Sequence, residues 1–392
     1  MKITIACLVL AYTLSQFYRA FLAVLTPDLA ADVGTTPSDL AFASGLWFVV
    51  FAAMQIPVGA ALDRIGPRRT ASVLLAIGGG GGAALFALAQ TPGQIAGAMA
   101  LIGAGSSPVL MASYFVFARV YPAAMFATLA GMTIGLGSFG NIAGTAPLAW
   151  VVEAVGWRQT MWGLSALTLL IAGLIFLAVR DPERVEHETR GSVLDLLKMP
   201  VLWPIFAIML VNYAPSAGIR GLWVGPYAES VFAADAARIG QISLVMGLSM
   251  IAGNFLYGPL DRIFGTRKWV IVAGNTAGGL ACLALFAMPA AGLLSSTVLL
   301  ALVGLTGASF AVIVAHARAF FPAHLTGRGV TLINLFGIGG VGLGQFVTGR
   351  LHDAVAAEQG PAPAPFAAIF LYFGISLLLG VAIYLMARDR TD

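Results

Sequence analysis

Five residues near the middle of the chain could do chemistry together: Tyr213, Ser216, Arg220, Trp223 and Tyr227. Their steps of 3, 4, 3 and 4 put all five on one face of a helix. A guanidinium among phenols, a hydroxyl and an indole can bind carboxylate, phosphate or carbonyl oxygen, and the rings can stack on a flat ligand. A smaller set near the N-terminus has the same character: Tyr12, Gln16 and Arg19, at steps of 4 and 3. Thr306, Ser309 and His316 are further polar groups in apolar surroundings, as are Asn334 and Gln345, eleven positions apart and so on one helix face. No nucleophile–base constellation or metal-ligand spacing accompanies them, so no enzyme and no cofactor are expected. "GLGSFG" (135–140) matches G-x-G-x-x-G but lies in an apolar run with no strand before it, which argues against a nucleotide site. Met246 and Met250 form M-x-x-x-M, a spacing that suits Cu(I) thioether ligation and equally suits helix packing.

The elements that must position these residues are apolar and long. Of 392 residues, 59% are hydrophobic and 10% charged, against about 25% charged in a soluble domain. Such a chain cannot cover a water-facing surface, so an all-α integral membrane protein is expected. Runs of spanning length fall near 3–29, 39–62, 70–90, 94–118, 123–150 and 159–179, then 200–231, 238–260, 268–290, 294–320, 325–349 and 364–387. These are numbered spans 1 to 12. Residues 1–25 are not read as a signal peptide, since no cleavage site precedes Arg19. Cys7 and Cys282 both lie in apolar runs, so no disulfide is expected.

Charge sets the orientation. With the N-terminus inside, sixteen of the twenty-one Lys and Arg fall on the inner face. Both termini are therefore expected in the cytoplasm, with the chain in a bacterial inner membrane. The net charge of +4 is a topology signal, and no nucleic acid partner is expected. All seventeen Asp and Glu fall in loops, tails or helix ends. Proton relays in membranes use Asp, Glu or His, and only His316 lies deep, so uniport or exchange is as plausible as proton coupling.

The two halves repeat. "GAALDRIGPRR" (59–69) follows span 2 and "GPLDRIFGTRK" (258–268) follows span 8; Asp63 and Asp261 are 198 positions apart. "ARVYP" closes span 4 and "ARAFFP" closes span 10; Arg119 and Arg318 are 199 apart. A duplicated six-helix unit follows, with bundles at 1–180 and 200–392 and a linker at 181–199. Duplicated halves are the architecture of secondary transporters.

With these landmarks the chain resembles the major facilitator superfamily over its whole length: twelve transmembrane helices in two pseudo-symmetric bundles. Gly59, Asp63, Arg64, Gly66, Arg68 and Arg69 carry the most specific motif, G-x-x-x-D-R-x-G-x-R-R. The resemblance implies an inner gate built from that loop, its copy at Asp261, Arg262 and Arg267, and Arg119 and Arg318. It also implies alternating access to a central site lined by spans 1, 4, 7 and 10. Two departures from the family pattern matter: Met99 replaces an arginine common in span 4, and Thr145 replaces the proline of the exporter signature G-x8-G-x3-G-P at Gly131, Gly140 and Gly144, which makes drug export a weaker reading.

The expected function is a secondary transporter for a small organic solute, anionic or flavin-like, with uptake favoured. A monomer bound only to its substrate and the bilayer is expected. Substrate contacts are expected from Tyr12, Gln16, Arg19, Tyr213, Ser216, Arg220, Trp223, Tyr227, His316 and Asn334. A looser similarity links the chain to an alpha-proteobacterial branch containing riboflavin importers and a copper importer. The alternatives are a copper importer using Met246 and Met250, and a transport-inactive sensor or assembly factor on the same scaffold. Two readings of Arg19 stay open: a ligand in a polar cavity, or a side chain snorkelling to the headgroups.

Overall fold

In the computed structural model, residues 2–120, 123–182, 193–322 and 325–391 are described. Every regular element among them is helical. Among the described residues ten helices are long and apolar enough to cross a membrane, including Pro37–Leu62, Pro67–Leu88, Pro92–Phe117 and Trp157–Ala178 in the first half. In the second half they include Pro200–Phe232, Ala236–Phe264, Lys268–Ala287, Leu293–Arg318 and Ala364–Tyr384. Local sequence explains where several begin. Thr36 and Asp39 form a reciprocal capping box before Pro37, and the Thr91 hydroxyl accepts the Gln94 N–H before Pro92.

The two remaining expected spans are not continuous helices. Span 1 runs as a helix over Lys2–Phe17, tightens into a 3-10 turn at Phe21–Ala23 and resumes at Thr26–Val33. The Arg19 N–H bonds the Gln16 carbonyl at 3.2 Å and the Ala20 N–H the Phe17 carbonyl at 2.9 Å, so the regular helical ladder is lost at Arg19. Span 5 breaks between Ala123–Ala143 and Ala146–Val155. Pro147 lacks the N–H that would continue the ladder, and Thr145 takes a non-helical conformation.

Contacts divide the chain into two compact units. The first comprises Met1–His187 with Ala236–Gly240, and the second Glu188–Asp235 with Gln241–Asp392. Residues 183–192 of the expected linker lie outside the described residues. In the first unit Phe17, Tyr18, Phe21, Phe86 and Trp157 form a chain of ring contacts 5.4 to 6.1 Å apart. At one end of that unit the Trp157 indole donates to Asp32 at 2.8 Å, and Arg158 donates to the Ala87 and Ala89 carbonyls that end span 3.

Glycines let helices meet backbone to backbone at matched places in each unit. A Cβ at Gly140 would run into the Thr13 carbonyl, and one at Gly144 would press on Phe17 O. In the second unit a Cβ at Gly340 would run into the Leu210 carbonyl, with Gly344 facing Ala214 one turn on. Spans 1 and 5, and spans 7 and 11, are thus joined through small-xxx-small seams, the packing that drives helix association in lipid. The glycine run at 78–82 serves the same end, since Gly78 and Gly79 lie directly against Gly105 of span 4.

Candidate functional site

Arg19 projects from the break in span 1. It is half-buried, and its guanidinium carbon lies 5.3 Å from the Trp47 ring centroid and 4.9 Å from that of Phe51. Those rings come from successive turns of Pro37–Arg64 and stack on each other, 5.1 Å apart and 16° from parallel. The cation therefore rests on an aromatic platform inside its own unit, an arrangement worth about 0.5–2 kcal/mol. Arg19 Nε, Trp47 Nε1 and Gln16 Oε1 are buried without hydrogen-bond partners. Gln16 Nε2 donates to the Tyr12 hydroxyl at 2.9 Å, so the stripe Tyr12–Gln16–Arg19 begins as one connected edge. Among the described residues no carboxylate pairs with Arg19.

Span 7 does not keep the single face that its spacing suggests. It is helical over Trp203–Gly218, widens into a π-helical turn at Ile219–Trp223, and returns to α over Val224–Phe232. The extra residue in that turn rotates Trp223 and Tyr227 away from the line of Tyr213 and Ser216. Their polar atoms are engaged elsewhere in the unit. The Trp223 indole donates to Thr348 at 2.9 Å and stacks on His352, while Tyr227 donates to the Pro289 carbonyl at 2.6 Å. Ser216 donates to its own helix at Tyr213 O, and the Tyr213 ring lies 5.3 Å from Phe310. Arg220 is only 1% exposed, and its Cδ lies against Gly247 of span 8. Gln345 reaches across from span 11 to donate to the Gly218 carbonyl at 3.0 Å, where the helix widens.

His316 is fully buried, and both ring nitrogens are committed. The Arg388 carbonyl can only accept, so Nε2 carries the proton and donates to it at 3.0 Å; Nδ1 then accepts the Tyr384 hydroxyl at 2.6 Å. This ties the end of span 10 to the end of span 12 and the residues just after it, away from Tyr213 and Arg220 in the contacts it makes. Asn334 is half-buried on span 11. Met246 and Met250 pack on Gly304 of span 10, where a Cβ would touch both side chains. Among the described residues no group of three or more His, Cys, Asp or Glu could hold a metal ion.

The loops after spans 2 and 8 are built alike, around residues the motif does not contain. In the first, the Arg68 N–H donates to Asp181 Oδ1 at 2.8 Å and the Arg68 side chain donates back to the Phe176 carbonyl near the end of span 6. Gly66 sits at φ 101°, where a Cβ would strike the Asp181 carboxylate. In the second, Asp389 accepts from Thr266 and from the N–H groups of Arg267 and Lys268, while Lys268 Nζ donates to Leu385 O at 2.7 Å. A carboxylate thus caps the third helix of each half, and a cation from that helix's start returns to the last carbonyls of the sixth. Partial burial acts to raise the Asp389 carboxyl, but these hydrogen bonds outweigh it and hold the group below the ordinary carboxylate value.

Of the expected gate residues, Asp261 pairs with Arg267 at 3.2 Å, and Arg267 also reaches the Ala315 and Arg390 carbonyls. Gly59 faces Met111, and Arg119 lies over the Phe115 ring at 4.8 Å. Arg64, Arg69, Arg262 and Arg318 are exposed. The side chain of Asp63 lies outside the described residues.

The family model described as "Major Facilitator Superfamily" matches residues 8–224. A protein of Agrobacterium vitis named "Putative tartrate transporter" is 24% identical over 428 residues, covering 98% of this chain and 90% of that protein. The structure of a D-xylose-proton symporter superposes with a TM-score of 0.78 at 15% identity, over 98% of this chain and 97% of that one. A bacterial homolog of the human lysosomal transporter Spinster, inward-facing and occupied, gives 0.77 at 17% identity, over 97% and 95%.

Proposed function

Because the chain belongs to the Major Facilitator Superfamily and is a multi-pass secondary transporter, we propose that it carries a small organic anion. Uptake across a bacterial inner membrane by alternating access is the direction and mechanism favoured, with Arg19 binding a carboxylate of the substrate. The observation that carries this reading is the state of Arg19. Its charge lies within an apolar run of spanning length, backed by aromatic rings, with no carboxylate partner among the described residues. An intramembrane cation is costly, at least roughly 2.5–3.5 kcal/mol, and a bound carboxylate offsets that cost. The likeness to a protein named for tartrate, a dihydroxydicarboxylate, supports the anionic class. Arg220, within two positions of where the 199-residue repeat offset carries Arg19, is the other proposed cationic residue. Trp47 joins the proposed site as the ring that orients Arg19.

The test is uptake by proteoliposomes of purified protein, with labelled tartrate, succinate, riboflavin and Cu(I) offered separately. Saturable uptake of at least one dicarboxylate, reduced by Arg19→Ala, is expected. Uptake of riboflavin or copper alone refutes the anion reading. Copper uptake lost in Met246→Ala would favour the thioether pair, and transport of nothing would favour a sensor or assembly role.

A further inference from the structure

The second unit holds a buried polar cluster that the proposed substrate contacts leave unused. Asn212 of span 7, Asn275 of span 9 and Ser309 of span 10 meet there, each no more than 2% exposed. Hydrogen bonding fixes the direction of both amides. Asn275 Nδ2 donates to the Ile271 carbonyl of its own helix at 2.8 Å, so its oxygen faces Asn212. Asn212 must then present its nitrogen, which donates to Asn275 Oδ1 at 2.7 Å and to Ser309 Oγ at 2.8 Å. The two amide hydrogens of Asn212 are thereby engaged. Its Oδ1 turns the other way, buried and without a hydrogen-bond partner.

Asn212 also lines a cavity of about 10 Å³, together with Pro215, Asn275, Thr306 and Gly307 among others. A single water needs roughly 10–15 Å³ and two to four polar partners. The polar groups here are acceptors. Thr306 directs its hydrogen at the Leu302 and Val303 carbonyls, 2.9 and 3.1 Å away, which leaves its oxygen lone pairs open. A ligand for this cavity must therefore donate. An anion has nothing to offer, and an alkali cation would leave its hydration shell for a few neutral oxygens in low dielectric.

We propose that the cavity binds one water molecule, which donates hydrogen bonds to Asn212 Oδ1 and Thr306 Oγ1. Its bonds would satisfy the orphaned Asn212 oxygen and tie span 7 to span 10, about one turn before Pro215 interrupts the helical ladder and the helix widens at Ile219–Trp223. The site does not depend on which solute is transported.

The experiment is a structure of the purified protein at about 2 Å, prepared once in sodium chloride and once in rubidium chloride. One density peak at ~2.7–3.2 Å from both oxygens, identical in the two salts and without anomalous signal, is expected. An empty cavity in a map that shows other internal waters overturns the proposal. Anomalous rubidium density there overturns it in favour of a cation. The isosteric variant Thr306→Val removes one acceptor without opening space, and the peak should be lost. A peak unchanged in that variant refutes the bridging role assigned to Thr306.

Discussion

Replacing Arg19 by alanine and, separately, by lysine divides its contribution into charge and shape. A hydrogen bond to a charged group contributes about 1.5–3 kcal/mol. With alanine all of it is lost, and KM for a carboxylate substrate should rise roughly 10- to 150-fold at 1.4 kcal/mol per decade. Lysine keeps the positive charge but gives up the planar face that rests 5.3 Å from Trp47 and 4.9 Å from Phe51. An ammonium also cannot make the paired contact of the guanidinium fork, and the loss of one hydrogen bond, about 1 kcal/mol, predicts a smaller rise, about 5-fold. Initial rates of labelled tartrate uptake against concentration give KM and kcat for each variant. The effect should fall on KM, because Arg19 binds the anion in ground and transition states alike. Two results would refute the reasoning. One is an alanine variant with KM within about twofold of wild type for every accepted anion, less than the loss of a single neutral hydrogen bond. The other is a lysine variant as impaired as alanine, which would mean that charge contributes nothing.

Four other outcomes follow from the geometry. Asp181→Asn and Asp389→Asn each weaken a helix cap, and each should lower the stability of its half by about 0.5–2 kcal/mol in thermal unfolding of the purified protein. The Asp389 carboxyl is held below its ordinary value of 3.8, so its contribution is present above that pH and is lost as pH falls through the lower folded value; the difference between wild type and Asp389→Asn should close below pH 3.8. Gly140→Ala and Gly340→Ala should cost at least about 1–3 kcal/mol and reduce folded yield, whereas Gly135→Ala and Gly339→Ala, with nothing within 4 Å of the new methyl, should not. Trp223→Phe removes the donor to Thr348 and should cost about 1 kcal/mol of stability with an unchanged uptake KM; a raised KM would make the indole a substrate contact.

Much of the fold is legible from elementary rules. The apolar runs, the charge bias and the paired loops at Asp63 and Asp261 point to a duplicated helical membrane protein, and the helices observed follow those runs. Less legible are features that depend on the partner of a residue. Asp181 and Asp389 read as solvated loop carboxylates, although the same Arg-Asp pair (180–181 and 388–389) ends both halves and could have marked them. Trp47 and Phe51 read as two more aromatics in an apolar run; their spacing of four was the available signal. The stripe on span 7 assumes 3.6 residues per turn throughout, and the widened turn at Ile219–Trp223 breaks that assumption. Nothing in the local sequence other than Pro215 and the flanking glycines announces it. His316 reads as a deep titratable group, yet its environment is Tyr384 and the Arg388 carbonyl, which belong to a segment about 70 residues away.

The glycine seams also decide how this protein can be recombined with its relatives. Gly140 and Gly144 admit the backbone at Thr13 and Phe17, and Gly340 and Gly344 admit Leu210 and Ala214. The tight fit is one-sided: Gly140 and Gly340 receive the carbonyls of Thr13 and Leu210, groups that any residue presents. Spans 1 and 7 can therefore be exchanged for those of another transporter, with their substrate preferences, while spans 5 and 11 stay in place to receive them. A foreign span 5 or span 11 is accepted only if it brings glycine to the crossing. The freedom to recombine is thus unequal within each pair of helices, and it lies on the side that carries the proposed ligands.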